Sequence, residues 1–329
     1  MKRNWKSVVG LGMAAVMTLG MTGAAVFAEE SERETVTIGF AFRSLDEAMT
    51  GWWGETERAI EEYNADDSNP YIIETLFTNA DLSVDTQLAN VDSLIVREPD
   101  VICIQCVDTN GDVPAFEACV DAGIPVIDYG FGIAYEDYTA SLLTIDHYGA
   151  GVAQADWVKA WLDANPDETL YCGYLNGAQG IEQMTQRYEG WCTIYDDPAY
   201  KDRISELDMQ YCNFSAETAQ STMEDWMQTF PEINCAVSAN DEMLMGAMQA
   251  AAGANVSMVS LGMDATATGL QGIKDGLESA TIGFDFIKIA DRGLELAMAV
   301  ATGEEFEKVT DISAEVTYIV DSTNVDEYL

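Results

Sequence analysis

The chain has 329 residues, with 57 Asp and Glu against 15 Lys and Arg, so its formal net charge at pH 7 is −42. Such an acidic surface repels nucleic acids and anionic membranes, which excludes a nucleic-acid-binding function. The length is sufficient for two domains that each contain a hydrophobic core.

Residues 1–28 have the pattern of a secretory signal peptide. Three basic residues precede an apolar stretch over 8–26, and Val26-Phe27-Ala28 fits the small-x-small pattern of a cleavage site. We expect cleavage after Ala28 and an extracytoplasmic location, in a periplasm or at a cell surface. A retained membrane anchor is disfavoured because the apolar stretch is short and interrupted by glycines. No cysteine precedes Cys103, so we expect no lipid-anchor cysteine.

Apolar runs alternate with amphipathic runs along the rest of the chain. This alternation is typical of parallel sheets with helices on both faces, and about ten strands are too many for one short sheet. We therefore expect an α/β protein with two doubly wound lobes. The sequence predicts strands over 36–42, 71–77, 101–106, 125–129, 142–145, 170–175, 204–212, 235–239, 256–261 and 280–284. It predicts helices over 51–64, 82–97, 114–122, 149–165, 185–196, 216–229 and 244–253.

The first predicted helix contains two adjacent tryptophans, Trp52 and Trp53, on its apolar face. They could stack on a ligand, but packing against the sheet is favoured at this helical spacing. The seven cysteines include a Cys103-x-x-Cys106 pair within a predicted strand. We expect these cysteines to pack in the core, with a disulfide as the second interpretation and a redox or zinc site as a remote third.

Polar residues follow two neighbouring predicted strands. Asn240 lies between a strand and a helix, and Asp264 ends the next strand. Open α/β sheets bind ligands at the carboxyl ends of their strands, so these side chains predict a site that holds a polar ligand. Asp241 and Glu242 lie in the first helical turn, where we expect them to interact with the helix dipole.

Catalytic patterns are weak. The single histidine, His147, has no nucleophile or metal ligands at a suitable spacing, so a structural hydrogen bond is its expected role. Gly177-Ala-Gln-Gly180 lacks the phosphate-loop pattern. We expect no metal, no cofactor and no enzymatic activity.

Several short motifs follow one another in a specific order. They are Thr37-Ile-Gly-Phe-Ala-Phe42, the segment 91–102, Ala122-Gly-Ile-Pro-Val-Ile-Asp128, Arg187-Tyr-Glu-Gly-Trp191, Ser238-Ala-Asn-Asp-Glu-Met243, Leu261-Gly-Met-Asp264 and Ala280-Thr-Ile-Gly-Phe284. This ordered set resembles the periplasmic ribose-binding protein family, the type I sugar-binding proteins that supply ABC importers. The resemblance covers essentially the whole chain after the signal peptide, and it implies two doubly wound parallel-sheet lobes joined by a three-strand hinge.

The resemblance also implies three crossings between the lobes, near Ile145, Asp285 and Ile312. The N-terminal lobe would then comprise residues 34–145 and 286–312, and the C-terminal lobe residues 146–285 and 313–329. Ligand would bind in the cleft between the lobes, which closes by hinge motion.

The same resemblance implies five ligand-binding residues: two carboxylates, a guanidinium, an amide and a stacking ring, which are Asp128, Asp264, Arg187, Asn240 and Phe214. Taken singly, each has an alternative role as a helix cap, a surface ion pair or a core side chain. Their occurrence together favours binding.

Three parts of the sequence depart from the family pattern. Tyr129 stands where Arg is frequent, Phe284 stands where Gln is common, and Asp46-Glu47 stand in the first loop, which usually brings an Asn and two stacking Phe. We expect these residues to contact the ligand as well. The departures remove donors and add carboxylates and aromatic surface. They favour a neutral sugar or polyol other than ribose, which could be larger or carry a basic group.

The implied function is that of a monomeric solute-binding protein that delivers a sugar or polyol to the membrane permease of an ABC importer. Delivery to a chemoreceptor or sensor kinase is an alternative. A carbohydrate-active enzyme is a weaker one, since the carboxylates of Asp128 and Asp264 could also flank a glycosidic bond. A related transcription regulator is excluded, because no basic DNA-binding segment precedes the first strand.

Overall fold

The computed structural model describes residues 33–130 and 138–329, and the predicted signal peptide lies outside them. The strands are β1 (Glu34–Phe42), β2 (Tyr71–Asn79), β3 (Val101–Ile104), β4 (Val126–Tyr129), β5 (Ser141–Thr144), β6 (Leu170–Asn176), β7 (Ile204–Tyr211), β8 (Cys235–Ser238), β9 (Val259–Asp264), β10 (Ala280–Phe284), β11 (Val309–Asp311) and β12 (Thr317–Asp321). The helices are α1 (Glu47–Ala65), α2 (Val84–Ile95), α3 (Val113–Ala122), α4 (His147–Ala164), α5 (Glu182–Asp196), α6 (Ala216–Thr229), α7 (Asp241–Gly253), α8 (Ala267–Asp275), α9 (Phe286–Thr302) and α10 (Ser313–Val316), with a 3₁₀ turn at Val325–Glu327.

The strands form two six-stranded sheets, which confirms the α/β prediction of two doubly wound lobes. The first sheet has the order β11-β5-β4-β3-β1-β2, and the second has the order β12-β10-β9-β8-β6-β7. All neighbours are parallel except β12, which runs antiparallel to β10 at the edge of the second sheet. Parallel strands direct their carboxyl ends toward the same edge, so each sheet presents one such edge to the cleft.

The ten predicted strands correspond to β1–β10. The largest shift is in β9, which begins at Val259 and continues to Asp264, so that Asp264 is the last residue of the strand. The short strands β11 and β12 were not predicted, because three and five residues with mixed exposure carry little periodic signal.

The chain changes sheets three times: between β5 and β6, after β10, and between β11 and β12. After the second change, α9 packs against α1 of the first lobe. We therefore propose the lobe boundaries stated above, at Ile145, Asp285 and Ile312, with the sheet membership of the flanking strands as support.

An aromatic cluster dominates the core of the first lobe. Trp52 is 2% exposed and Tyr129 is fully buried, and their ring centroids lie 5.1 Å apart. Phe40 and Phe42 of β1 complete the cluster with edge contacts to Trp53 at 5.3 and 5.6 Å. Each aromatic side chain buries a large apolar area, so this cluster fixes α1 on the sheet.

The seven cysteines are free thiols, and all except the partly buried Cys192 are buried. Burial raises the pKa of the Cys119 thiol to about 12, which makes it unreactive at neutral pH. Within the described residues there is no group of three or more His, Cys, Asp or Glu side chains that could hold a metal ion. None of the helices in this part of the chain is long and apolar enough to cross a membrane.

Candidate ligand-binding cleft

A cleft lies between the carboxyl edges of the two sheets. Its polar lining consists of Arg43, Asp46, His147, Gln183, Arg187, Asn240 and Asp264. Its apolar lining consists of Met49, Trp52, Ile145, Met184, Phe214, Phe284 and Phe286, with Gly130 at the margin. Both lobes contribute to each set, so the cleft is an interlobe site.

Hydrogen bonds join the lobes at both sides of this cleft. On one side, Thr109 donates its backbone N–H (3.1 Å) and its hydroxyl (3.2 Å) to the carbonyl oxygen of Gly180. On the other side, Oε1 of Glu47 accepts from the N–H (3.1 Å) and hydroxyl (2.9 Å) of Thr268. The N–H of Glu47 donates to Oε2 of Glu242 at 3.4 Å. The structure therefore represents a closed arrangement of the two lobes.

Arg187 of α5 bonds to three neighbouring groups of the cleft. It is 6% exposed, and it donates to the Ala239 carbonyl, to Oδ1 of Asp264 at 3.3 Å and to Nδ1 of His147 at 3.3 Å. Burial lowers the pKa of His147 well below its usual value, and the Arg187 charge lowers it further. His147 is therefore neutral, and Nδ1 can accept while Nε2 faces the Gly130 carbonyl at 3.5 Å.

Asn240 and Asp264 lie side by side at the ends of adjacent strands, as the sequence predicts. Asn240 is also the N-cap of α7, where its Oδ1 accepts from the Met243 N–H at 3.0 Å. The amide nitrogen is its remaining donor. The cap role and the cleft position of Asn240 are thus compatible.

Burial raises the pKa of Asp264, while the neighbouring Arg187 guanidinium opposes that change.

Arg43 is a cleft residue that the sequence did not reveal. It follows β1 directly, it is 4% exposed, and its guanidinium lies 3.9 Å from Oδ2 of Asp46. The same group lies 4.5 Å from the ring centroid of Phe214 on the opposite wall. Burial lowers the pKa of Arg43, and the Asp46 carboxylate opposes that change. Arg43 therefore places a guanidinium donor on the first-lobe side of the cleft. The available signal was a basic residue at the carboxyl end of the first strand.

The aromatic residues surround these charges. Trp52 stacks on Phe286 with an angle of 22° between the rings and 6.4 Å between centroids. The guanidinium of Arg187 lies 5.2 Å from the centroid of Phe284. Phe286, Trp52 and His147 were not predicted as site residues. Trp52 packs in the core of the first lobe and also lines the cleft, so both interpretations of this residue apply.

The structure brings six of the nine predicted site residues to the cleft: Asp46, Arg187, Phe214, Asn240, Asp264 and Phe284. The other three lie elsewhere. Asp128 is fully buried within β4, and the ring of Tyr129 packs inside the aromatic cluster. Glu47 lies at the rim, where it bonds to Thr268. A direct ligand contact for each of the nine stays a prediction.

Comparisons with known proteins give a consistent result. A family model described as a periplasmic binding protein domain matches residues 41–305. A xylitol-binding protein of Mycolicibacterium smegmatis is 24% identical over 98% of this chain and 87% of its own length. The ribose import binding protein of Escherichia coli is 28% identical over 67% of this chain and 71% of its own length.

Among solved structures, an ABC transporter solute-binding protein from Bacillus halodurans with bound myo-inositol superposes with a TM-score of 0.79. It is 25% identical, and the alignment covers 91% of this chain and 98% of that one.

Proposed function

The chain belongs to the periplasmic binding protein family, and from this premise we propose that it captures a neutral sugar or polyol in the cleft between its lobes. The family and the relatives are binding proteins and not enzymes. The observation that carries the proposal is the set of four buried charges in the cleft, two guanidinium groups and two carboxylates, between aromatic rings.

The charges in the cleft balance one another. Arg43 and Arg187 offset Asp46 and Asp264, and His147 is neutral. A charged ligand would leave one charge without compensation in a buried site, which is costly. Hydroxyl groups both donate and accept, so they can bond to carboxylates and guanidinium groups together. This balance supports an uncharged ligand with several hydroxyls over one with a basic group.

The aromatic lining supports the same class of ligand. Trp52, Phe214 and Phe284 present apolar faces beside the polar groups. A sugar or polyol has C–H faces that can pack on such rings while its hydroxyls meet the charges. The relatives fit this class, since their names refer to xylitol and ribose, and one solved structure contains myo-inositol.

Capture would proceed by closure of the lobes around the ligand. A buried hydroxyl that lacks a partner costs about 1–3 kcal/mol, so a ligand with misplaced hydroxyls is rejected. We propose that the chain acts outside the cytoplasm as a monomer after removal of its signal peptide. The membrane permease of an ABC importer would receive the ligand.

A thermal-shift screen tests the ligand class. The panel contains neutral sugars and polyols, including xylitol, myo-inositol and ribose, with amino sugars and sugar acids as charged comparisons. A ligand at about 100 times its dissociation constant adds about 2.7 kcal/mol to stability, which is readily measured. We expect stabilisation by one or more neutral compounds. Stabilisation by charged compounds alone would contradict the proposal.

Delivery is tested separately by transport. The protein and the identified ligand are added outside vesicles that contain the candidate permease, and the ligand that enters the vesicles is measured. Uptake that requires the protein supports an importer. Binding without uptake, combined with capture of a sensor kinase or chemoreceptor, would favour the sensory alternative.

A further inference from the structure

Two buried acids lie behind the Asp264 wall and take no part in lining the cleft. Asp241, the first residue of α7, is fully buried, and Glu278, which precedes β10, is 4% exposed. Within the described residues, neither forms an ion pair with Lys or Arg. Buried carboxyls without a cation are costly as charged groups, so the pair requires another form of compensation.

The two carboxyl groups meet on the same face of β9, beside Gly262. Oδ1 of Asp241 and Oε1 of Glu278 lie 2.2 and 2.3 Å from one point, the position that a Cβ on Gly262 would occupy. Only glycine fits there, because the two carboxyl oxygens occupy the space on either side of that point. Two ionised carboxylates at this separation repel strongly, whereas one shared proton converts the repulsion into a hydrogen bond.

The hydrogen bonds indicate which residue carries the proton. Asp241 accepts three: from the Thr266 N–H (2.7 Å), the Thr266 hydroxyl (3.1 Å) and the Thr281 hydroxyl (2.6 Å). Neither oxygen of Glu278 accepts a well-formed hydrogen bond within the described chain, although the Gly262 N–H is nearby. Asp241 is thus built as the acceptor and Glu278 as the protonated donor.

Asp241 holds the turn that presents Asp264 to the cleft. Asp264 and Ala265 have φ values of +99° and +49°, a backbone region that side-chain-bearing residues rarely adopt. Asp241 fixes this turn through Thr266 and through Thr281, whose hydroxyl oxygen also accepts from the Ala265 N–H at 3.3 Å. Such a turn persists only where the surrounding bonds impose it.

We propose that Asp241 and Glu278 share one proton and act together as positioning residues for Asp264, so that ligand affinity depends on two acids outside the cleft. The dependence on ligand rests on the proposed function, whereas the shared proton does not. The titratable groups that face the pair are Asp264 at the end of β9 and Tyr318 on β12. Thr266 and Gly269, at the N-terminal end of α8, pack against Asp241, and neither side chain carries a charge.

Burial supports this assignment. It raises the pKa of Glu278 well above its usual value, and the Asp241 charge adds to that rise. Burial, and then the Asp264 charge, raises the pKa of Asp241 to about 8, although its three accepted bonds oppose the rise. The folded chain therefore binds a proton that the unfolded chain releases above about pH 4. Stability should fall as the pH rises above about 4, and the fall should end only when Glu278 releases the proton, because its pKa in the folded chain is raised well above the usual value.

The shared proton is tested without any ligand. Infrared spectra at pH 7 should show the C=O stretch of a protonated carboxyl, and this band should disappear in Glu278→Gln. Thermal unfolding between pH 5 and pH 9 should show a stability that falls with pH in the wild type and a flatter profile in Glu278→Gln. The exposed-acid control Glu295→Gln should retain both wild-type features. Absence of the band in the wild type, or its persistence in Glu278→Gln, would overturn the shared proton.

The positioning role is tested with a ligand identified by the screen. Glu278→Gln keeps a neutral donor, so its affinity at pH 7 should stay within about threefold of the wild type. Asp241→Asn replaces one of the two accepting oxygens with an NH₂ donor that faces a threonine hydroxyl or N–H, so its affinity should fall about tenfold or more. Thr281→Val is a milder change, and its affinity for the ligand should also fall. A pH high enough to remove the proton of Glu278 should lower the affinity of the wild type and leave that of Glu278→Gln unchanged.

Equal affinities of Asp241→Asn, Thr281→Val and the wild type would overturn the positioning role. If the wild-type protein binds no sugar or polyol, the proposed function fails, and the infrared and unfolding data still decide whether the proton is shared.

Discussion

The two walls of the cleft hold their charges in different ways. On the second-lobe wall, Arg187 is fixed by a backbone carbonyl, by His147 and by Asp264, so its geometry is set before any ligand arrives. On the first-lobe wall, Arg43 lies 3.9 Å from Asp46 and rests on the Phe214 ring of the opposite wall. The difference indicates that the second lobe presents a rigid template, and that the first lobe completes its site only when the cleft closes.

Replacement of Arg187 should have the largest effect. Arg187→Met removes the donor that we propose for the ligand and takes away the cation that pairs with buried Asp264. Loss of one partner of a buried pair costs about 3–5 kcal/mol of stability, and we expect affinity to fall more than about 100-fold. Unfolding and calorimetry measure the two effects. The exposed control Arg292→Met, which loses a surface pair with Glu295, should change neither by more than about 1 kcal/mol.

Replacement of Arg43 should reduce affinity less and stability much less. In Arg43→Met, Asp46 keeps the donors Ser44 Oγ (2.8 Å) and Met49 N–H (3.0 Å), so it is not left unpaired. We expect affinity to fall about 30-fold and stability to fall by about 1 kcal/mol. If Arg43→Met costs as much stability as Arg187→Met, the two walls are equally preorganised and the contrast between them is lost.

Asn240→Ala separates the cap role from the binding role. The lost N-cap should cost about 1 kcal/mol of stability, and the lost cleft donor should weaken binding at least about tenfold. Ser215→Ala is the matched control, because Ser215 caps α6 by the same geometry at 3.2 Å and does not line the cleft. It should show the same stability loss with unchanged affinity. Unchanged affinity in Asn240→Ala would remove this residue from the site.

Glu47→Ala should have the smallest effect, because it removes only the two hydrogen bonds from Thr268 at the exposed rim. Their loss destabilises the closed form by less than about 1 kcal/mol, so ligand should dissociate about threefold faster with little change in association. Stopped-flow kinetics measure both rates, with the exposed Glu57→Ala on the same helix as the control. A loss of affinity above tenfold would instead support the direct ligand contact predicted from the sequence.

The second-lobe wall could be predicted from the sequence, because topology alone places the ends of β8 and β9 side by side. Asn240 and Asp264 follow those strands directly, so their proximity needed no knowledge of side-chain packing. The ten regular strands were predictable for a similar reason, since apolar periodicity is local. The strands β11 and β12 were not, because three and five residues of mixed exposure carry little periodic signal.

The first-lobe wall depends on distant contacts that no local pattern contains. Tyr129 occupies the core because Gly293 of α9 leaves room for its ring: a Cβ there would lie 2.4 Å from the phenol oxygen. The residues around Arg43 in the sequence do not distinguish it from an exposed basic residue, because the Phe214 ring that covers its guanidinium belongs to the other lobe. Asp241 lies in the first turn of α7, as expected, but its full burial and its bond to Thr266 were not predicted. In each case the partner belongs to another element, so burial could not be inferred from the neighbouring residues.

The balanced charges of the cleft are the central claim, and calorimetry with matched ligands tests them most directly. A neutral sugar or polyol identified by the screen is titrated beside its amino and carboxylate analogues of the same size. The four buried charges predict that the neutral compound binds at least about tenfold more tightly than either analogue. Tighter binding of the amino or the carboxylate analogue would contradict the account.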